Sequence, residues 1–272
     1  MLLENAYWPN RDRLIKLGKD NAERYRTAEP FPHIVLDDFF PESTLNNILS
    51  EFPRPDDADW VTFQRTHEKK LAGKGDIQMG QMTRQFVSQL NASAFVDFLE
   101  ALTTIKGVIP DPHLDGGGLH QIMPGGHLNI HTDFNKHKRL KLDRRINLLL
   151  YLNHDWQEDY RGHLELWDKD MTNCVEKILP AFNRMVIFTT TDFSYHGHPD
   201  PLACPDDNSR KSLALYYFTN GRPREEVKPG QLTQFRTRPG DKMPLALDVL
   251  TLKLMPPILI DAAKAIKDKL KK

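Results

Sequence analysis

From Gly116 onward the chain breaks into short apolar or alternating runs divided by Gly, Pro, Asn and Asp, and this rhythm limits the fold most. The runs cover 119–123, 128–134, 145–152, 163–167, 174–179, 185–190, 194–198 and 213–219. Short runs of this kind, bounded by turn residues, predict strands. Eight of them in close succession predict two antiparallel sheets rolled face to face, a jelly roll.

Before Gly116 the pattern is mostly helical. Residues 11–26 carry sparse apolar positions (Leu14, Leu17, Ala22) and predict a surface helix. A brief strand and turn follow over 30–41, and Pro41 opens a helix to about Phe52 with Ser43 as a plausible N-cap. Residues 60–63 predict a strand, and the charged, Gly-containing stretch 67–76 reads as a mobile loop. Helical spacing returns over 82–90 and 95–105, where Phe95, Phe98, Leu99 and Leu102 make one apolar face. Beyond Gly221 the chain turns polar. Residues 245–260 are apolar but broken by Pro256-Pro257, and 261–272 predict a basic amphipathic helix, docked on the domain or on a second subunit in preference to a membrane. The expected class is α+β: a double-stranded β-helix (jelly-roll) core, N-terminal helices packed on one sheet and a C-terminal helical extension. One domain is expected over 1–272, with 1–115 as support, 116–220 as core and 221–272 as extension.

Charge narrows the partners. Lys plus Arg and Asp plus Glu are both 37, so the net charge is zero and nothing draws the chain to nucleic acid or an anionic membrane. Two cysteines, Cys174 and Cys204, are too few for a disulfide framework and lack zinc-site spacing, which suits a reducing cytoplasm. Glu4 stands where a signal peptide carries positive charge, and no run nears the roughly 18 apolar residues of a membrane span. Oligomeric state stays open between monomer and homodimer.

The chemistry-bearing residues fall inside the strand pattern. His131 and Asp133, two apart on one run, leave the same strand face. An imidazole and a carboxylate so placed are two corners of a 2-His-1-carboxylate triad, which covers one side of Fe(II) and leaves the other open. His196 and His198 both suit the third corner, and period two does not separate them. His127, four before His131, shares its face but lies too far along to share the metal.

In order along the chain stand His-x-Asp at 131–133, Arg-Arg-Ile-Asn-Leu-Leu-Leu-Tyr-Leu-Asn at 144–153, Arg-Gly-His-Leu-Glu-Leu at 161–166, Ser-Tyr-His at 194–196 and Arg-Lys-Ser at 210–212. Together they resemble the 2-oxoglutarate- and Fe(II)-dependent oxygenases, in their prolyl 4-hydroxylase-like branch, over roughly 30–218. The resemblance implies His131, Asp133 and His196 as iron ligands, the last by the Ser-x-His match. It implies Arg210 as the fork for the far carboxylate of 2-oxoglutarate, with Ser212 and Tyr151 adding hydroxyls. Gln121 stands where many relatives carry a tyrosine near the cosubstrate. A carboxylate at Asp133, where related halogenases have a small residue, argues for hydroxylation.

The implied activity is hydroxylation of an unactivated C–H bond using Fe(II), 2-oxoglutarate and O2, with ascorbate as a possible reductant. A small-molecule substrate, an amino acid or natural-product intermediate, is the first reading. A protein prolyl or other residue hydroxylase acting on a translation-related protein is the second. A non-oxidative, cupin-like metal protein is the third, and Arg210 speaks against it. The stretch 67–76 and the segment 135–145 are both candidates to border the site's mouth. The second, with six basic side chains, reads either as a basic rim suited to an acidic or phosphorylated substrate or an acidic peptide, or as a solvated hairpin connection.

Overall fold

The computed structural model describes residues 10–57, 59–223 and 232–241. The chain divides into two units, Met1–Arg236 and Thr237–Lys272, the second contributing only 237–241 to the described residues. The apolar stretch 245–260 and the basic helix expected over 261–272 lie outside them.

Four helices form as the spacing predicts. In α1 (Arg11–Arg26) Asn10 caps the start by accepting from the Asp12 amide at 2.8 Å. Gly18 lets α1 lie directly on α4 (Ser93–Thr103), since a Cβ there would sit 2.8 Å from the Phe98 carbonyl oxygen. The cap expected at Ser43 is not used. Pro41 is itself the N-cap residue of α2 (Glu42–Ser50), with φ −57° and ψ 128°, which puts Ser43 inside the first turn and leaves the helix without a side-chain cap. The start of α3 (Gln81–Leu90) is capped from a distance. Gly80 has no side chain to offer, and the Glu51 carboxylate accepts from the Met82 and Thr83 amides at 3.0 and 2.9 Å.

The strands are β1 (His33–Asp37), β2 (Val61–Arg65), β3 (Glu68–Ala72), β4 (Ile109–Pro110), β5 (Gly118–Ile122), β6 (His127–Thr132), β7 (Asp143–Tyr151), β8 (Leu164–Trp167), β9 (Cys174–Ile178), β10 (Arg184–Thr189), β11 (Tyr195–His198), β12 (Arg210–Thr219) and β13 (Gln234–Phe235). They make one curled antiparallel sheet in the order β1-β10-β7-β12-β5-β3-β6-β11-β8-β9, with β2, β4 and β13 alongside. The stretch expected to be a mobile loop is largely β3, which forms a hairpin with β2 and bridges β5 to β6. Its charges hid the strand: Glu68 is buried and Lys69 exposed, an alternation that an apolar count does not register.

Helices cover the outer face of the broad half. Ile146, Leu148 and Leu150 of β7, Met185 and Ile187 of β10, and Leu213 and Leu215 of β12 share one core with Leu14, Leu45, Phe86 and Phe98 of the helices. Each such side chain contributes about 1.5–3 kcal/mol by leaving water. The inner face packs Tyr151, Val186 and Phe188 against Leu164, Leu166 and Ile178 of the narrow half.

Two bulges break the alternation. On β7, Ile146 faces Tyr217 but Arg144 faces Phe218, so Arg145 is an extra residue. On β6, His131 faces His196 and Leu128 faces His198, three residues against two. A bulge re-aims the side chains beyond it.

Candidate active site

His131 and His196 face one another across β6 and β11, their ring centroids 4.5 Å apart. His131 Nδ1–H donates to the Asn129 carbonyl and His196 Nδ1–H to the Ser194 carbonyl, each at 2.8 Å. A carbonyl only accepts, so each ring carries its proton on Nδ1 and turns a bare Nε2 lone pair inward. Asp133, just past the end of β6, completes the cluster: Oδ1 lies 3.7 Å from His131 Nε2 and Oδ2 3.5 Å from His196 Nε2. Among the described residues this is the group of His, Cys, Asp and Glu able to hold a metal, its ligand atoms within 4.8 Å of one another. His198 is not part of it. Gly197 lets the two strands close, because a Cβ there would meet the Leu128 and Asn129 carbonyl oxygens at 2.7 and 2.8 Å.

Burial alone would raise the Asp133 carboxyl, but Arg144, His196 and His131 outweigh it and hold the group ionised, well below its usual range. Burial lowers His196 to about 4 against the pull of Asp133, so the imidazole is neutral and ready to ligate. Asn147 braces the carboxylate: its Nδ2 donates to Asp133 Oδ2 at 2.6 Å, while its Oδ1 accepts from Arg144 Nε at 2.8 Å.

The same cavity, about 680 Å³, reaches Arg210 and Ser212. Arg210 is 4% exposed, donates from Nε to the Gly162 carbonyl at 2.8 Å and from Nη2 to the Tyr151 hydroxyl at 3.2 Å, and has no acid beside it among the described residues. Burial pushes its guanidinium below, and the Tyr151 hydroxyl above, their ordinary values. A planar cation with no acid beside it, at the inner end of a cavity that holds a metal triad, fits a dicarboxylate cosubstrate. Two imidazoles and a carboxylate fit Fe(II) equally well.

Several expected residues sit elsewhere. Gln121 does not line the cavity; it donates to Ser209 Oγ at 2.8 Å, while its neighbours His120 and Ile122 face inward. His127 does not share the face of His131, because the β6 bulge turns it to the Thr66 carbonyl at 3.3 Å. The basic rim of 135–145 is only partly a rim. Lys138, Arg139 and Lys141 are exposed, but Arg144 and Arg145 are buried on opposite faces, separated by the β7 bulge.

Sequence reasoning passed over Arg144, Asn147 and Lys70. Arg144 is 1% exposed, with its guanidinium carbon 3.4 Å from the Tyr216 ring centroid and 4.4 Å from that of Phe134. Its Nη2 lies 3.2 Å from Asp133 Oδ2, yet in no alignment for a hydrogen bond. His198 is buried in the cavity wall with neither ring nitrogen partnered, and burial holds it neutral.

Comparison with known proteins agrees with this geometry. A model described as the 2OG-Fe(II) oxygenase superfamily matches residues 117–218. Mouse (Mus musculus) prolyl 3-hydroxylase OGFOD1 is 25% identical over 200 residues, which cover 70% of this chain and 33% of that protein, so the chain spans about a third of its relative's length. A prolyl hydroxylase from Trichoplax adhaerens, solved with a hypoxia inducible factor peptide, superposes with a TM-score of 0.56 at 18% identity, over 76% of this chain and 91% of that one. HygX from Streptomyces hygroscopicus, solved with nickel, 2-oxoglutarate and hygromycin B, gives a TM-score of 0.51 at 10% identity, over 79% and 96%. No helix among the described residues is long and apolar enough to cross a membrane.

Proposed function

The chain belongs to the 2-oxoglutarate- and Fe(II)-dependent oxygenase superfamily, on its prolyl 4-hydroxylase-like side, and on that premise we propose that it hydroxylates an unactivated C–H bond of a small molecule. One observation carries the reading: the His131–Asp133–His196 cluster and the acid-free Arg210 share one cavity. Bound there, Fe(II) with 2-oxoglutarate and O2 supplies the oxidising power, one oxygen atom going to the substrate carbon and the other to succinate as CO2 leaves.

The protein's share is orientation. His131 and His196 present Nε2 because their Nδ1 protons are held by backbone carbonyls. Asp133 stays charged beside Arg144 and is kept from rotating by Asn147. Arg210, with the hydroxyls of Tyr151 and Ser212, takes the far carboxylate of the cosubstrate. No general base is required, and His198 and His120 are held neutral by burial.

A small substrate suits the way the mouth is walled. Phe63 and Lys70 of the β2–β3 hairpin line it together with Leu232, Thr233 and Phe235, and Phe235 lies 5.6 Å from the His131 ring. HygX shows the fold accommodating a small molecule. A protein substrate is the second reading, favoured by the likeness to prolyl 3-hydroxylase OGFOD1.

The test is succinate formation by anaerobically purified protein given Fe(II), 2-oxoglutarate and then O2, beside Arg210→Ala and His196→Ala. Slow turnover without substrate, abolished by both changes, is expected. A wild type that binds iron but neither binds nor consumes 2-oxoglutarate overturns the reading in favour of a non-oxidative metal protein.

A further inference from the structure

We propose that the substrate is a carboxylate, seated between Arg144 and Lys70 beside the metal cluster. The inference rests on the oxygenase reading above and deepens it.

Three cations lie on the inner wall of the cavity: Arg144, Lys70 and Arg210. Two acids accompany them, Asp133 and Glu68, while the other charged residues on the lining, Arg65, Asp115, Lys136 and Lys138, are much more open to water. Fe(II) and 2-oxoglutarate carry equal and opposite charge, so the loaded inner site retains one positive charge. Burying an uncompensated charge is costly, and a singly charged anion removes that cost.

The geometry says where the anion sits. Arg210 is committed to the cosubstrate, which leaves Arg144 and Lys70. Arg144 is clamped by Phe134 and Tyr216 and is 99% buried; its Nη2, ion-paired with Asp133 Oδ2 at 3.2 Å, makes no hydrogen bond. Lys70 reaches in from β3 with Nζ 5.1 Å from the Phe63 ring centroid and 3.6 Å from Glu68 Oε2. It is near enough to Arg144 for the two charges to repel, and burial together with that repulsion makes it a weaker cation than usual. An oxyanion between them relieves the repulsion and gives Nη2 the aligned hydrogen bond that Asp133 does not. Arg144 and Lys70 are themselves largely shielded from water, so each charge-assisted bond counts for more than it would at a surface. A phosphate monoester brings between one and two negative charges, more than the balance asks for.

The test uses the full chain loaded with Zn(II), which cannot turn over, and saturating 2-oxoglutarate to occupy Arg210. Calorimetry then titrates three probes built on one phenyl ring: benzoate, its neutral isostere benzamide, and phenyl phosphate. Benzoate is expected to bind at least roughly tenfold tighter than benzamide, the value of one charge-assisted hydrogen bond. Lys70→Gln and Arg144→Gln should each erase most of that preference. Arg144 also touches Asp133, so Lys70→Gln, whose ion pair is with Glu68 and not a metal ligand, decides the matter if the arginine variant loses zinc. Equal binding of benzoate and benzamide overturns the proposal, as does a preference that survives Lys70→Gln. Tighter binding of phenyl phosphate than benzoate overturns the single-charge assignment. Failure of the oxygenase reading shows separately, as absence of 2-oxoglutarate binding before any probe is added.

Discussion

The two faces of β7 divide the work of the molecule. Outward, Ile146, Leu148 and Leu150 are wholly buried under the helices and touch nothing polar that matters to the site. Inward, Arg144, Asn147 and Tyr151 are equally buried, but they hold Asp133, each other and Arg210. The outer face releases free energy by excluding water. The inner face keeps buried charges whose cost its own ion pairs and hydrogen bonds offset only in part, leaving the rest to ligands. Equal burial therefore means opposite things on the two sides of one strand.

Substitutions should separate the faces. The largest effect belongs inside: His131→Ala should weaken metal binding by more than about a hundredfold, while the thermal midpoint of the metal-free protein moves little, as paired metal titration and melting would show. Outside, Leu148→Ala should cost about 2–5 kcal/mol of stability yet leave 2-oxoglutarate affinity in the cold within about twofold. A denaturant titration beside a binding curve checks both halves. Tyr151→Phe removes one hydroxyl from Arg210 and should raise the Kd for 2-oxoglutarate roughly three- to tenfold without a matching loss of stability.

A smaller effect, remote from both faces, serves as a control. Glu51→Gln loosens the cap on α3 and should cost about 0.5–1 kcal/mol, the low end for a cap because this carboxylate is only partly buried. Burial pushes the Glu51 carboxyl up, but hydrogen bonds from Met82 and Thr83 outweigh it and leave it below its ordinary 4.5. Its stabilising contribution is therefore full above about that pH and fades as pH falls through the lower native value. The gap in thermal midpoint between wild type and variant should close over the same interval, and a gap independent of pH would remove the charged cap from the account.

Much of this was legible in the residues themselves. The eight predicted strands all form, within a few residues of their expected ends, because apolar runs and turn residues are local signals. His131, Asp133 and His196 could be paired before any coordinates because ligand chemistry restricts residue type and order. What stayed hidden depends on the partner strand. Period two left His196 and His198 equal, so only the Ser-x-His resemblance chose between them; the register that sets His196 opposite His131 lies in the partner strand. Lys70 was unreadable while β3 looked like a charged loop, and the cap on α3 comes from Glu51, some thirty residues back in sequence.

Arg145 is the extra residue of β7. It acts as a change of parity. Toward the C-terminal side of it, odd-numbered positions look into the cavity; toward the N-terminal side, the even-numbered Arg144 does. A strand without that insertion would offer the metal site whichever side chain its apolar rhythm dictated. With it, the strand satisfies the helices along most of its length and still delivers a cation of its own choosing beside Asp133. Deleting this one residue would leave the composition of the strand almost untouched and exchange the inside of the enzyme for its outside at the position nearest the metal.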